Sequence, residues 1–112
     1  MYERSLTQSV NEAVLDLCRK SGWESVRHIV LKVGGMRKAD PELMASLFSV
    51  ISRGGPAEGA DLSTLALPIV FRCGKCGDVE SESAEFACPV CGSHDVELLS
   101  GLQLGIELIE IG

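Results

Sequence analysis

Two Cys-x-x-Cys-Gly steps, Cys73-Gly74-Lys75-Cys76-Gly77 and Cys88-Pro89-Val90-Cys91-Gly92, constrain this chain more than any other feature. They hold four of its five cysteines. Each step wraps two thiolates around one ion while the glycine that follows turns the backbone, so that amide N–H groups point at sulfur and spread its charge. Cys73, Cys76, Cys88 and Cys91 are therefore a candidate tetrathiolate metal site, with Zn2+ as the first assignment. The eleven residues between the pairs close a tighter loop than the roughly 15–20 of common zinc patterns, yet one long enough for two hairpin-like knuckles. An iron site of the rubredoxin type uses the same step and stays open, although such sites sit among aromatics and only Phe71 and Phe86 lie nearby. Two disulfides are a third reading, weakened by the tight ring that a Cys-x-x-Cys bridge closes and by the lack of a secretory segment.

A chain of 112 residues has room for one modest domain and a small module. Residues 68–100 hold few large apolar side chains and many of Glu, Asp, Gly and Ser, too little buried surface to offset the chain entropy. The metal is expected to fold them, since structural zinc contributes about 10–16 kcal/mol in small peptides. Charge then excludes partners. The net charge is −6, and within this segment Arg72 and Lys75 face Asp78, Glu80, Glu82, Glu85, Asp95 and Glu97. Four thiolates around a divalent cation add about −2 more, so the ribbon repels phosphates, and neither DNA nor RNA is an expected partner. No run of eighteen apolar residues and no charged-then-apolar leader appears, which predicts a cytoplasmic chain with reduced thiols and no membrane association.

Outside the cysteines the spacing predicts a compact unit of helices and strands. Ser5 with Gln8 reads as a capping box, followed by a helical stripe of Leu6, Val10, Ala13, Val14, Leu17 and Cys18 up to the Ser21-Gly22 stop. Helix one is placed over about Leu6 to Lys20, with Cys18 as a core residue. From Ser25 to Val33 a strand puts Ile29, Leu31 and Val33 on one face and His28, Val30 and Lys32 on the other. His28 reads as a strand-surface residue. Asp40 as N-cap, Pro41 at the first position and Glu42 in the first turn announce a second helix, with Leu43, Met44, Leu47, Phe48 and Ile51 facing the core. Met44 and Met36 are core filling and not soft-metal ligands.

Asp61 to Leu67 is a further strand, and Pro68 marks the exit toward the metal module. The chain resumes with Val96 to Leu99, and Leu102, Leu104, Ile106 and Leu108 then alternate with polar or small residues as a last strand with one buried face. The expected class is α+β: two helices packed on a small three-stranded sheet, with an inserted zinc-ribbon module. The division is 1–67 plus 101–112 for the α/β domain and 68–100 for the zinc-binding module.

Helix one beginning almost at the N-terminus, Val33-Gly34, Asp40-Pro41-Glu42-Leu43, Gly55-Pro56-Ala57-Glu58-Gly59-Ala60, and Phe86-Ala87-Cys88-Pro89-Val90-Cys91-Gly92-Ser93 leading to Ser100-Gly101 together resemble the HypA/HybF family over essentially the whole chain. That resemblance implies a nickel metallochaperone for nickel-iron hydrogenases, serving urease in some organisms, with structural zinc on Cys73, Cys76, Cys88 and Cys91. It implies Ni2+ as transient cargo, and as partners a hydrogenase-maturation GTPase and the hydrogenase large subunit. It assigns nickel handling and partner docking to the α/β domain. Family members begin Met-His-Glu and hold nickel through the terminal amine, backbone amides and that imidazole, which maps a candidate nickel site onto Met1, Tyr2 and Glu3. Here the imidazole is missing. Tyr2 offers a protonated phenol with a pKa near 10, a poor donor for square-planar nickel. Arg4 also stands where an apolar residue is usual, and Gly35-Met36 where an acidic one follows Val-Gly.

Two classes follow: a nickel carrier, or a zinc-ribbon adaptor that kept the fold and either lost nickel or serves another metalloenzyme. His94, three residues past Cys91, reads as a residue that hydrogen-bonds a ribbon turn or faces solvent, with completion of a nickel site as the alternative. An enzyme is not expected, because a metal with four thiolate ligands has no open position and no Ser-His-Asp or Cys-His set emerges from two histidines and one leftover thiol.

Overall fold

The computed structural model describes residues 2–112. Helix α1 spans Tyr2–Ser21, strand β1 Val26–Gly34, helix α2 Pro41–Ile51, and strands β2 to β6 Asp61–Leu67, Ile69–Cys73, Gly77–Ser81, Val96–Ser100 and Leu104–Ile111. Two three-stranded sheets form, with strand orders β2-β1-β6 and β4-β3-β5. The α+β class with two helices is as expected, and the cysteine segment supplies a full second sheet.

Two compact units result. The first takes the chain through Leu31, Ala39–Leu65 and Gly105–Gly112; the second takes Lys32–Lys38 and Ala66–Leu104.

In the first unit, α1 starts earlier than the Ser5-Gln8 pattern predicted. Tyr2, Glu3 and Arg4 are already helical, so Ser5 lies inside the first turns and is no cap. Glu3 explains the extension: a carboxylate in the first turn complements the helix dipole, and its Oε2 also accepts from the backbone N–H of Asp40 at 3.3 Å. The stop is as predicted. Gly22 adopts φ +71, and Trp23 N–H donates to the Cys18 carbonyl at 3.0 Å, the bond pattern of a Schellman motif. The buried stripe is narrower than expected: Leu6, Thr7, Val10, Val14 and Cys18 are buried, whereas Ala13 and Leu17 face solvent. Thr7 tolerates burial because its Oγ1 donates to the Glu3 carbonyl at 2.6 Å. Cys18 is buried, and burial pushes its thiol pKa up.

Helix α2 begins as its sequence announces, with Asp40 Oδ1 accepting from Glu42 N–H at 3.0 Å and Leu43 N–H at 3.4 Å. Met44 and Phe48 are fully buried with Val14, Ile29 and Leu31, and these five make the centre of the core. Strand β6 departs from its expected pattern. It begins at Leu104, not Leu102, and Leu102 and Leu108 are about half exposed. The reason is position: β6 is a sheet edge, where a strand buries less of each face than the central β1 does.

In the second unit, β3 is the central strand. It pairs antiparallel with β4, from Ile69↔Ser81 to Cys73↔Gly77, and with β5, from Val70↔Ser100 to Cys73↔Val96. Ile69, Phe71, Cys73 and Cys88 are buried, a core of a few side chains only, and the Phe71 ring meets that of Phe86 at 5.5 Å. The segment Gly34 to Arg37 is bonded to 101–103: Gly34 N–H to the Gln103 carbonyl at 2.7 Å, Met36 N–H to the Gly101 carbonyl at 2.9 Å, and Arg37 Nε to the Leu102 carbonyl at 2.8 Å. A side chain at Gly34 would overlap the carbonyl of Gly101. Gly34→Ala is therefore expected to cost about 1–3 kcal/mol, read as a lower urea midpoint; an unchanged midpoint would show that the backbone there gives freely.

Candidate metal centre

The two Cys-x-x-Cys steps are built differently. The first is the turn of a hairpin: β3 ends at Cys73, β4 starts at Gly77, and the positive φ of +80 at Gly77 lets the chain reverse within four residues. The second is a loop closed on itself, with Cys88 N–H donating to the Ser93 carbonyl at 2.8 Å and Gly92 N–H to the Cys88 carbonyl at 2.9 Å. Gly92, at φ +75, makes that closure possible.

Together these elements bring all four sulfurs within 4.8 Å of one another, with Cys73 Sγ and Cys91 Sγ at 3.6 Å. Four sulfurs at about 2.3 Å around a tetrahedral ion lie about 3.8 Å apart, so the cluster matches the geometry of a tetrathiolate ion site and could hold a metal ion. None of the five cysteines is in a disulfide. Cys73 and Cys88 are buried and Cys76 and Cys91 exposed, so the site sits at the surface with two sulfurs facing inward.

Electrostatics within the cluster follow from four thiols sharing one small volume. The Cys88 thiol is lowered to about 7, first by the backbone N–H of Cys91 and then by that of Val90, against the opposing effect of burial. This is the amide-to-sulfur arrangement that the glycine spacing predicted. The Cys76 thiol is pushed up to about 12, chiefly by its hydrogen bond with Cys91 and then by burial. The Cys88 thiolate forms readily while Cys76 resists a second charge, so a cation has to displace the Cys76 proton.

Within the ribbon, Arg72 bridges acids on both neighbouring strands. Arg72 Nε reaches Asp78 Oδ1 at 3.1 Å on β4, and its Nη1 reaches Glu97 Oε2 at 3.9 Å on β5. His94 does not join the cluster; its Nδ1 donates to the Phe86 carbonyl at 3.1 Å, the turn-bracing role predicted for it.

The other predicted site lies at the start of α1. Met1 falls outside the described residues. Tyr2 and Glu3 occupy the first turn, Tyr2 is 46% exposed, and the Glu3 carboxylate meets the Asp40 N–H. Sequence spacing carried no hint of this contact, which joins two segments 37 residues apart.

A polar group on the first unit also escaped the sequence reading. His28 is half-buried, with Nε2 2.8 Å from Ser63 Oγ and Nδ1 3.3 Å from Glu110 Oε1, while Arg27 Nη2 donates to Glu110 Oε2 at 2.7 Å. First Arg27 and then His28 hold the Glu110 carboxyl below its ordinary value. A lowered folded-state pKa stabilises the protein above the ordinary carboxylate range, and that contribution disappears as pH falls through the lowered value. Accordingly, Glu110→Gln should lower the melting temperature near neutral pH and converge with the parent in strong acid. A constant gap across that titration would contradict the assignment.

With the fold and cluster in place, likeness to known proteins decides the family. A family model described as hydrogenase/urease nickel incorporation, metallochaperone, hypA, matches residues 1–111. The chain belongs to the HypA family. Relatives named hydrogenase maturation factor HypA include that of Dechloromonas aromatica, 32% identical over 99% of both chains. The Syntrophus aciditrophicus protein of the same name is 36% identical, over 99% of this chain and 97% of its own. Among solved structures, the Ni metallochaperone HypA from Helicobacter pylori superposes with a TM-score of 0.69 at 18% identity, covering 99% of this chain and 97% of that one. At that identity the likeness speaks for the HypA fold. No described helix is long and apolar enough to cross a membrane.

Proposed function

We propose that this HypA-family chain is an accessory protein for nickel insertion during maturation of nickel-iron hydrogenases, with structural zinc on Cys73, Cys76, Cys88 and Cys91. The observation that carries the reading is the convergence of four sulfurs in a chain matched by the nickel-incorporation family over residues 1–111. Zinc is favoured among cations because an all-thiolate tetrahedral set with no open position is its structural coordination mode. A saturated site of this kind organises the chain and leaves no place for a reacting water. Residues 68–100 are the zinc-binding module, and 1–67 with 101–112 handle nickel and dock partners.

Nickel is the cargo. It would be held at Met1, Tyr2 and Glu3 through the terminal amine and backbone amides. Tyr2 and Glu3, whose amides this reading uses, lie in the first turn of α1. Partners in the cytoplasm are the maturation GTPase, with which the chain docks, and the hydrogenase large subunit that receives the metal. Reduced thiols suit that compartment.

Tyr2 favours a second reading, an adaptor of the same fold that has lost nickel or serves another metalloenzyme. Titration of protein with a native, untagged N-terminus separates them. Micromolar or tighter one-to-one Ni2+ binding with a square-planar absorption band supports the carrier. Affinity no better than that of a variant extended ahead of Met1 supports the adaptor.

A further inference from the structure

Three side chains far apart in sequence form a hydrogen-bonded line on the first unit. Ser63 on β2, His28 on β1 and Glu110 on β6 lie in line across the sheet order β2-β1-β6, at 2.8 Å between Ser63 Oγ and His28 Nε2 and 3.3 Å between His28 Nδ1 and Glu110 Oε1. Arg27 pins the far carboxylate oxygen at 2.7 Å. The line borders a cavity of about 580 Å3, whose wall also includes Ala45 and Leu62. We infer that Ser63 is a nucleophile activated by His28, with Glu110 and Arg27 as positioning residues, and that this cleft takes small activated carboxylic esters.

The geometry meets two requirements of nucleophilic catalysis. The nucleophile is within hydrogen-bond reach of a base, and the base is held through its other nitrogen by a carboxylate. With the Nδ1–H tautomer donating to Glu110, Nε2 presents a lone pair to the Ser63 hydroxyl. The 3.3 Å separation is looser than an optimal bond, as is common before substrate binds. Ser63 is exposed and so reachable from solvent. Neither a cation nor an anion suits the cleft better, because Arg27 opposes the first and Glu110 the second. Asp61 is the remaining titratable group on the wall.

The balanced sequence is ordinary acyl transfer. Ser63 Oγ bonds to the ester carbonyl carbon as its proton passes to His28 Nε2. The bond to the leaving oxygen breaks, and that oxygen takes the proton from Nε2. Water then attacks the acyl-serine, giving a proton to Nε2 that returns to Ser63 Oγ as the acid leaves. Net, one ester and one water become an acid and an alcohol.

A serine, histidine and glutamate bonded across three strands are also how a sheet surface satisfies its polar side chains, so the test must read reactivity. The full-length, metal-loaded protein is treated with a fluorophosphonate probe and assayed by intact mass and peptide mapping, then with p-nitrophenyl acetate across pH 5–9. The expected result is one probe per chain on Ser63, loss of labelling in Ser63→Ala, and a fall in ester hydrolysis of about 100-fold in that variant. Glu110→Gln should slow hydrolysis about tenfold or more and move the basic limb of the pH profile, an effect that a merely structural carboxylate would not have. Equal labelling of Ser63→Ala, or hydrolysis that survives in Ser63→Ala but disappears in His28→Asn, would overturn the proposal by making the imidazole or another group the reactive one. Absence of any Ser63 adduct in folded protein would overturn it as well. Because nickel plays no part in these assays, their outcome is independent of the accessory role proposed above.

Discussion

Removing the metal from the cysteine cluster should unfold the second unit while leaving the first folded. The sulfurs are the hub of that unit: Cys73 ends its central strand β3, Cys76 closes the hairpin to β4, and Cys88 and Cys91 anchor the loop leading to β5. Around them only Ile69 and Phe71 are large side chains of 68–104 that are buried. Such a core contributes a few kcal/mol at most, whereas a structural zinc ion contributes about 10–16 kcal/mol near neutral pH, so the ion outweighs the packing. The first unit has its own core of Val14, Ile29, Leu31, Met44 and Phe48 and no sulfur ligand among them. Hydrogen exchange before and after a strong chelator reads the difference residue by residue. Fast exchange should appear across β3, β4 and β5 together, with protection retained in α1, α2 and the middle of β1. Cys88→Ser should have the same effect without chelator. Unchanged protection of β3 in metal-free protein would mean that the Phe71 and Phe86 contact suffices, and the structural role of the ion would be lost.

The second large effect is a gain. Tyr2→His places an imidazole beside the backbone amides at the start of α1, where Tyr2 is 46% exposed and replacement leaves the core untouched. An added first-coordination-sphere nitrogen is worth at least the roughly 10–100-fold in metal affinity that ligand-orienting partners contribute. Calorimetric titration with Ni2+ should therefore show tighter one-to-one binding in Tyr2→His and a new absorption band of square-planar nickel. The test needs a native N-terminus, because the terminal amine of Met1 is part of the proposed ligand set. No gain in affinity would move attention to Arg4 and to the Gly35-Met36 turn, the other positions that the family resemblance singles out. It would also strengthen the adaptor reading over the carrier.

The parts of this molecule that were legible in advance are those coded by short spacing. The Cys-x-x-Cys-Gly steps named the four cysteines whose sulfurs converge, since two thiols three residues apart before a turn-forming glycine have few other uses. Asp40-Pro41 marked the α2 N-terminus because capping is a contact within three residues, and Ser21-Gly22 marked the α1 stop for the same reason. Where local rules misled, a partner from elsewhere in the chain had intervened. Ser5 lost its capping role because α1 extends to Tyr2, with Glu3 meeting Asp40 N–H from a different helix. The last strand lost its buried face because it lies at the edge of its sheet, which no alternation of Leu and polar residues encodes.

Sequence by itself thus determined which four cysteines converge and the turns that aim them, and through wider resemblance it determined the family. Tertiary structure alone decided which strand is central, how closely Gly34 approaches Gly101, and that Ser63, His28 and Glu110 meet in one line. The physical reason is range. Turn, cap and chelate chemistry act between neighbours along the chain, whereas strand order and side-chain convergence arise from pairing between segments 35 to 82 residues apart.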